Sequence, residues 1–114
     1  MDGDARGYQV VTAVADQAAA SDLARGLVEA RLAACVQVVG PVTSTYRWLG
    51  RVETATEWLC VAKTTGEALE AAMAAIAAAH AYDEPEITAT PIVAGSDGYL
   101  GWLRAEVRNP PPPE

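Results

Sequence analysis

His80 is the only histidine among the 114 residues. With Glu86 and Cys35 it makes the strongest metal-ligand candidate in the chain, because imidazole and thiolate suit copper and a carboxylate adds charge. A tight site takes about three or four protein ligands, so one histidine requires either subunits that share a site or an ion that keeps its water. The same imidazole can instead close a helix, where a cationic side chain faces the terminal carbonyls. Cys35 likewise reads either as a ligand or as a small buried hydrophobe. His80 and Glu86 could act as an acid and base pair, but the sequence holds no nucleophile elbow, metal-hydrolase motif or glycine-rich phosphate loop. No catalytic residues and no organic cofactor are therefore expected.

The elements that would position these residues follow from periodicity. Residues 8–14 are β-branched and aromatic without a breaker, which suits a first strand. Asp16 can cap a helix carrying Leu23, Leu27, Ala30 and Ala34 at helical spacing. Two β-type stretches, Cys35 to Trp48 and Arg51 to Lys63, flank the turn at Leu49-Gly50 and read as a long hairpin. Gly40-Pro41 marks a bulge or kink within it, since proline cannot donate to a ladder. Thr64 and Glu67 have capping-box spacing ahead of a second helix with Leu69, Met73, Ile76 and His80 on one stripe. Glu84-Pro85 ends that pattern, Ile87 to Val93 reads as a fourth strand near an edge, and a short helix follows Asp97. The order βαββαβ predicts an α+β, ferredoxin-like sandwich with a short C-terminal helix. One domain is expected over residues 8–107, with residues 1–7 and the proline-rich stretch 108–114 disordered on either side.

A strand of some 14 residues spans about 45 Å, so the hairpin should outrun the domain body. A two-residue turn at Leu49-Gly50 sets Tyr46 opposite Glu53 and Trp48 opposite Arg51, placing large aromatics on an arm with no core beneath it. Edge-to-edge pairing with a neighbouring copy would cover them. Such head-to-tail contacts must close into a ring, of which three is the simplest beyond a dimer. A homotrimer with Tyr46 and Trp48 on its arm is expected.

About half of the residues are hydrophobic and the net charge is −7. That is enough for a real core, and the negative field disfavours nucleic acid and anionic lipid as partners while favouring cations. The alanine-rich run around Met73 is too short and too weakly hydrophobic to span a bilayer. The acidic start Met1-Asp2-Gly3-Asp4 is unlike a secretory signal, and the two cysteines do not form a disulfide framework, so a cytoplasmic protein is expected.

The stretches Leu32-Ala33-Ala34-Cys35-Val36 and Val42-Thr43-Ser44-Thr45-Tyr46-Arg47-Trp48, with Gly50 and Glu53, resemble the central block of CutA proteins. His80-Ala81-Tyr82-Asp83-Glu84-Pro85-Glu86 resembles that family's His-Pro-Tyr-Glu-Val-Pro-Glu, and Tyr99-Leu100-Gly101-Trp102 its Tyr-Leu-x-Trp ending. The resemblance runs from Tyr8 to about Val107. It implies a trimer of ferredoxin-like subunits joined by their hairpins, a role in tolerance of copper or another divalent cation, and a shape similar to PII signalling proteins. That shape suggests a sensor or adaptor as an alternative, and a purely structural trimer as another. The family fold further implies an intersubunit cleft lined by Lys63, Trp48, Tyr82 and Glu86. Those four could instead be an ion pair and two interface anchors. Three departures stand out: Ala81 for proline, Asp83-Glu84 for glutamate-valine, and Thr12 where some members carry a cysteine linked to copper.

Overall fold

The computed structural model describes residues 5–107. In chain order the elements are β1 (Tyr8–Val14), α1 (Gln17–Glu29), β2 (Cys35–Trp48), β3 (Arg51–Thr64), α2 (Leu69–Ala79), β4 (Ile87–Pro91) and α3 (Asp97–Glu106). The strands form one antiparallel sheet in the order β2-β3-β1-β4, the ferredoxin-like arrangement read from the sequence. Proline ends β4 on the outer edge of the sheet, where a missing donor costs no ladder bond.

Residues opposite one another in register share a face of the sheet. On one face Val10, Ala62, Val36 and Ala89 pack with Leu27, Ala33 and Ile76 to make the main core beneath α1 and α2. The opposite face carries Val11, Leu59 and Val61, each only partly buried, and Val39, which is 46% exposed. A second cluster, Ala34, Ala68, Leu100, Leu103 and Val107, seats α3 across one end of the sandwich.

The helix boundaries are set locally. Asp16 Oδ1 accepts a bond from the Ala19 N–H at 2.8 Å and starts α1. The helix stops short of the expected Ala34: Ala30 caps it and Arg31 takes a left-handed φ of 60°. Arg31 also turns its guanidinium onto the carbonyls of Ala105 and Glu106, each at 3.0 Å, satisfying the free end of α3. The expected Thr64 capping box does not form. Thr64 is fully buried as the last residue of β3 and donates its hydroxyl to Leu32 O at 2.6 Å. Thr65 Oγ1 instead accepts from the Ala68 N–H, one turn before α2 begins.

The ladder does not begin at Tyr8. Arg6 N–H bonds to Ile92 O and Ile92 N–H to Gly7 O, so residues 6 and 7, expected to be disordered, are held against the edge strand. The expectations for residues 1–4 and for the proline-rich 108–114 lie outside the described residues.

The hairpin is as the spacing predicts. Tyr46 faces Glu53, Trp48 faces Arg51, and the register slips between Val39 and Val42 around the cis Gly40-Pro41 peptide. Leu49 and Gly50 both take positive φ, 51° and 79°, matching the right-handed twist of the strands they join. β1 ends at Val14 opposite Trp58, so the hairpin beyond that level projects as an arm past the end of β1.

Candidate ligand cleft

The segment that returns from α2 to β4 crosses the root of the arm, and between them opens a cleft of about 690 Å³. Tyr46, Trp48 and Tyr82 supply aromatic walls, and Glu57, Asp83, Glu84 and Glu86 supply carboxylates. Ala13, at the end of β1, adds a small side chain that leaves the space open.

Glu57 is the pivotal group. It lies on β3 opposite Val42, just beyond the kink, and is only 9% exposed. The Tyr82 hydroxyl donates to its Oε2 at 2.9 Å. Burial first, and then this bond and the charge of Glu57, push the Tyr82 phenol up to about 12, so it remains a donor at neutral pH. Among the described residues the only ion pair is Arg25 with Glu29 on the surface of α1, so Glu57 has no cationic partner there.

His80 holds the crossing segment in place. Its Nε2 lies 2.8 Å from Ala13 O, and its Nδ1 accepts the Tyr82 N–H at 3.1 Å. A carbonyl can only accept, so the ring is the neutral tautomer with its proton on Nε2, and both nitrogens are in use. The His80 and Tyr82 rings also lie 4.8 Å apart, tilted at 50°. His80 thus ties the end of α2 to β1 and aims Tyr82 at Glu57. His80 follows the last residue of α2, but its ring bonds Ala13 O and the Tyr82 N–H and not the terminal carbonyls of that helix, the contact expected of a helix-closing side chain.

The remaining candidates separate into two ends of the sheet. Trp48, Tyr82 and Glu86 line the cleft together. Lys63 does not join them within the subunit: it lies opposite Cys35 and Gln9 and donates to Gln37 Oε1 at 2.7 Å. From Gln9 to Ala13 is roughly 13 Å along the strand at about 3.3 Å per residue, so strand register keeps Lys63 and Cys35 away from His80 and Glu86. Among the described residues no three of His, Cys, Asp and Glu converge closely enough to hold a metal ion. The proposed trio His80, Glu86 and Cys35 therefore does not form a site in one subunit. Cys60 is spent as well, its thiol pushed up by burial and donated to Ala20 O at 3.5 Å.

Glu57 escaped the sequence reading. The available signal was a lone carboxylate facing the partly apolar side of the sheet, in line with Leu59 and Val61, just where a kink disturbs the partner strand.

The model of the CutA1 divalent ion tolerance protein family matches residues 8–106. The chain belongs to that family. It is 44% identical over 95 residues to the divalent-cation tolerance protein CutA of Thermus thermophilus, covering 83% of this chain and 92% of that one. It is 41% identical over 100 residues to the chloroplastic CutA of Arabidopsis thaliana, and spans 55% of that longer protein. The crystal structure of CutA1 from Oryza sativa superposes with a TM-score of 0.88 at 35% identity, covering 95% of this chain and all (100%) of the other. That of CutA from Xylella fastidiosa gives 0.87, also at 35% identity, over 90% and 99%. The four-stranded sheet with its long hairpin is thus the CutA fold.

Proposed function

We propose that this CutA chain acts as a cytoplasmic homotrimer in divalent-cation tolerance, binding ions at the acidic cleft beside its arm and catalysing no reaction. The observation that carries this reading is the gathering of Glu57, Asp83, Glu84 and Glu86 around one concavity at the root of the arm. Because no three donors converge among the described residues, the ion keeps much of its water and is held mainly by charge. Weak affinity is expected, about 10⁻⁴ to 10⁻³ M, the range of open sites with few direct ligands. Copper at His80 would have to displace the Tyr82 N–H from Nδ1, the ring nitrogen that carries no proton, so carboxylate oxygen is the better-supported donor. Trp48 and Leu49 on the arm, 50% and 84% exposed, and the partly exposed Val11, Leu59 and Val61 face support self-association. Two free thiols suit a reducing compartment.

Calorimetric titration with Cu²⁺, Zn²⁺, Mn²⁺ and Ca²⁺ tests the reading. Saturable binding should weaken about tenfold in the Asp83→Asn, Glu84→Gln, Glu86→Gln triple variant, roughly 1.4 kcal/mol. No heat for any ion up to about 10 mM, ten times the weak end of the expected range, would remove it.

A second reading, a sensor or adaptor that takes a small molecule in the same cleft, is favoured by the cleft's size. Its volume of about 690 Å³ lies inside the usual range for small-ligand pockets.

A further inference from the structure

The cleft carries a buried negative charge and aromatic walls together, and the two features select for different parts of one ligand. Glu57 is nine-tenths buried, with an exposure of 9%. A carboxylate removed from water to that degree costs several kcal/mol unless a positive charge or good hydrogen bonds compensate it. Tyr82 provides one bond, to Oε2, and the described residues provide no cation within ion-pair distance. Oε1 is left to accept from whatever enters the cleft.

A bare metal ion is a poor match for that oxygen, because among the described residues no three donors converge into a ligand set. The neighbouring walls are rings instead. Tyr46, Trp48 and Tyr82 present π-faces or edges around the same space, and a cation near an aromatic face gains about 0.5–2 kcal/mol, more as water is excluded. Aromatic surface also takes up a hydrocarbon stem, which a hydrated metal lacks. Asp83 and Glu84, exposed and lining the same cleft, add negative potential that draws a cation inward.

We infer that the cleft binds a small organic ammonium ion, its charged head on the free carboxylate oxygen of Glu57 and its alkyl stem against Tyr46, Trp48 and Tyr82. This rests on the small-molecule reading of the cleft and not on metal binding. The same chemistry could be delivered by a basic side chain of a second copy, of which Arg47 and Arg51 are exposed on the arm. The free ligand is the occupant argued for, because the cleft is sized for a whole small molecule.

The test is calorimetry on the assembled protein with n-butylammonium chloride, with n-butanol as the uncharged counterpart. Saturable binding of butylammonium, at least about tenfold tighter than butanol, is expected, since charge and cation–π terms together supply that difference. Glu57→Gln keeps the shape and a hydrogen bond to Tyr82 but removes the charge, and should weaken butylammonium about tenfold or more. Trp48→Leu, which leaves Glu57 intact, should weaken it by a few-fold in protein that light scattering shows to keep the wild-type mass. Equal binding of butanol and butylammonium would overturn the ammonium assignment while leaving a small-molecule cleft. Binding of neither would remove the small-molecule reading as well. Butylammonium binding that appears only in the Arg47→Ala, Arg51→Ala variant would show the arm of a second copy filling the cleft, and would overturn the free ligand.

Discussion

The hydroxyl of Tyr82 lies 2.9 Å from Oε2 of Glu57, joining the segment after α2 to the part of β3 from which the arm projects. The bond links two regions distant in sequence and fixes the shape of the cleft from both sides. His80 supports it from behind, holding the Tyr82 N–H through Nδ1 and Ala13 O through Nε2.

Replacing Tyr82 with Phe removes the donor and leaves a largely buried carboxylate without a partner. The expected loss of stability is about 1–3 kcal/mol in denaturant unfolding, the range for leaving a buried polar group unsatisfied. The pH dependence has a definite sign. Burial, and then Glu57, raise the phenol from 10.0 to about 12 on folding. Its contribution is therefore complete below pH 10.0 and is lost as pH rises through about 12. In wild type, one tyrosine should ionise late in a titration followed by near-ultraviolet absorbance, and Tyr82→Phe should remove that step. An unchanged titration would disprove the pairing.

His80→Ala should act on stability and not on ion binding. Two hydrogen bonds are lost at a partly buried position, so roughly 1–3 kcal/mol is expected. Thermal unfolding of the variant checks this. A variant as stable as wild type that no longer binds divalent ions would restore His80 as a ligand.

Gly40 sits where a Cβ would lie 2.6 Å from Cδ1 and 2.9 Å from Cγ of Trp58. Gly40→Ala should therefore cost about 1–3 kcal/mol, the range for overpacking. Trp58→Leu should recover part of that loss by vacating the space, so the double variant should be more stable than the sum of the single losses implies. Strict additivity in unfolding experiments would mean that the ring does not enforce the glycine.

The arm predicts the mass in solution. Light scattering should give three times the chain mass of 11.9 kDa, and Val52→Asp with Trp48→Ser should lower it, because charge and lost aromatic surface oppose burial of the arm. Wild type running at the mass of one chain would contradict the trimer.

The fold was largely legible because its signals are local. Asp16 at a helix start, β-branched alternation, and Leu49-Gly50 between two long apolar stretches each act within a few residues, and together they give the element order and the register of Tyr46 with Glu53. The failures came from tertiary competition. Thr64 has capping-box spacing, yet burial at the end of β3 commits its hydroxyl to Leu32 O. Arg31 enters a conformation more usual for glycine, with its guanidinium bound to the end of α3. The cleft was half legible. Trp48, Tyr82 and Glu86 meet, but strand register sends Lys63 to Gln37, and Glu57 was marked as the buried charge only by its place in line with Leu59 and Val61 beside the kink. Donor chemistry alone nominated His80, and only hydrogen-bond geometry shows that both of its nitrogens are taken.

The most direct measurement is a Mn²⁺ titration of wild type, His80→Ala and the Asp83→Asn, Glu84→Gln, Glu86→Gln triple variant, with free Mn²⁺ read by electron paramagnetic resonance. Binding at the acidic cleft predicts that His80→Ala keeps wild-type affinity to within about twofold, while the triple variant loses about tenfold. Loss in His80→Ala with full binding in the triple variant would place the ion at the histidine and contradict the cleft.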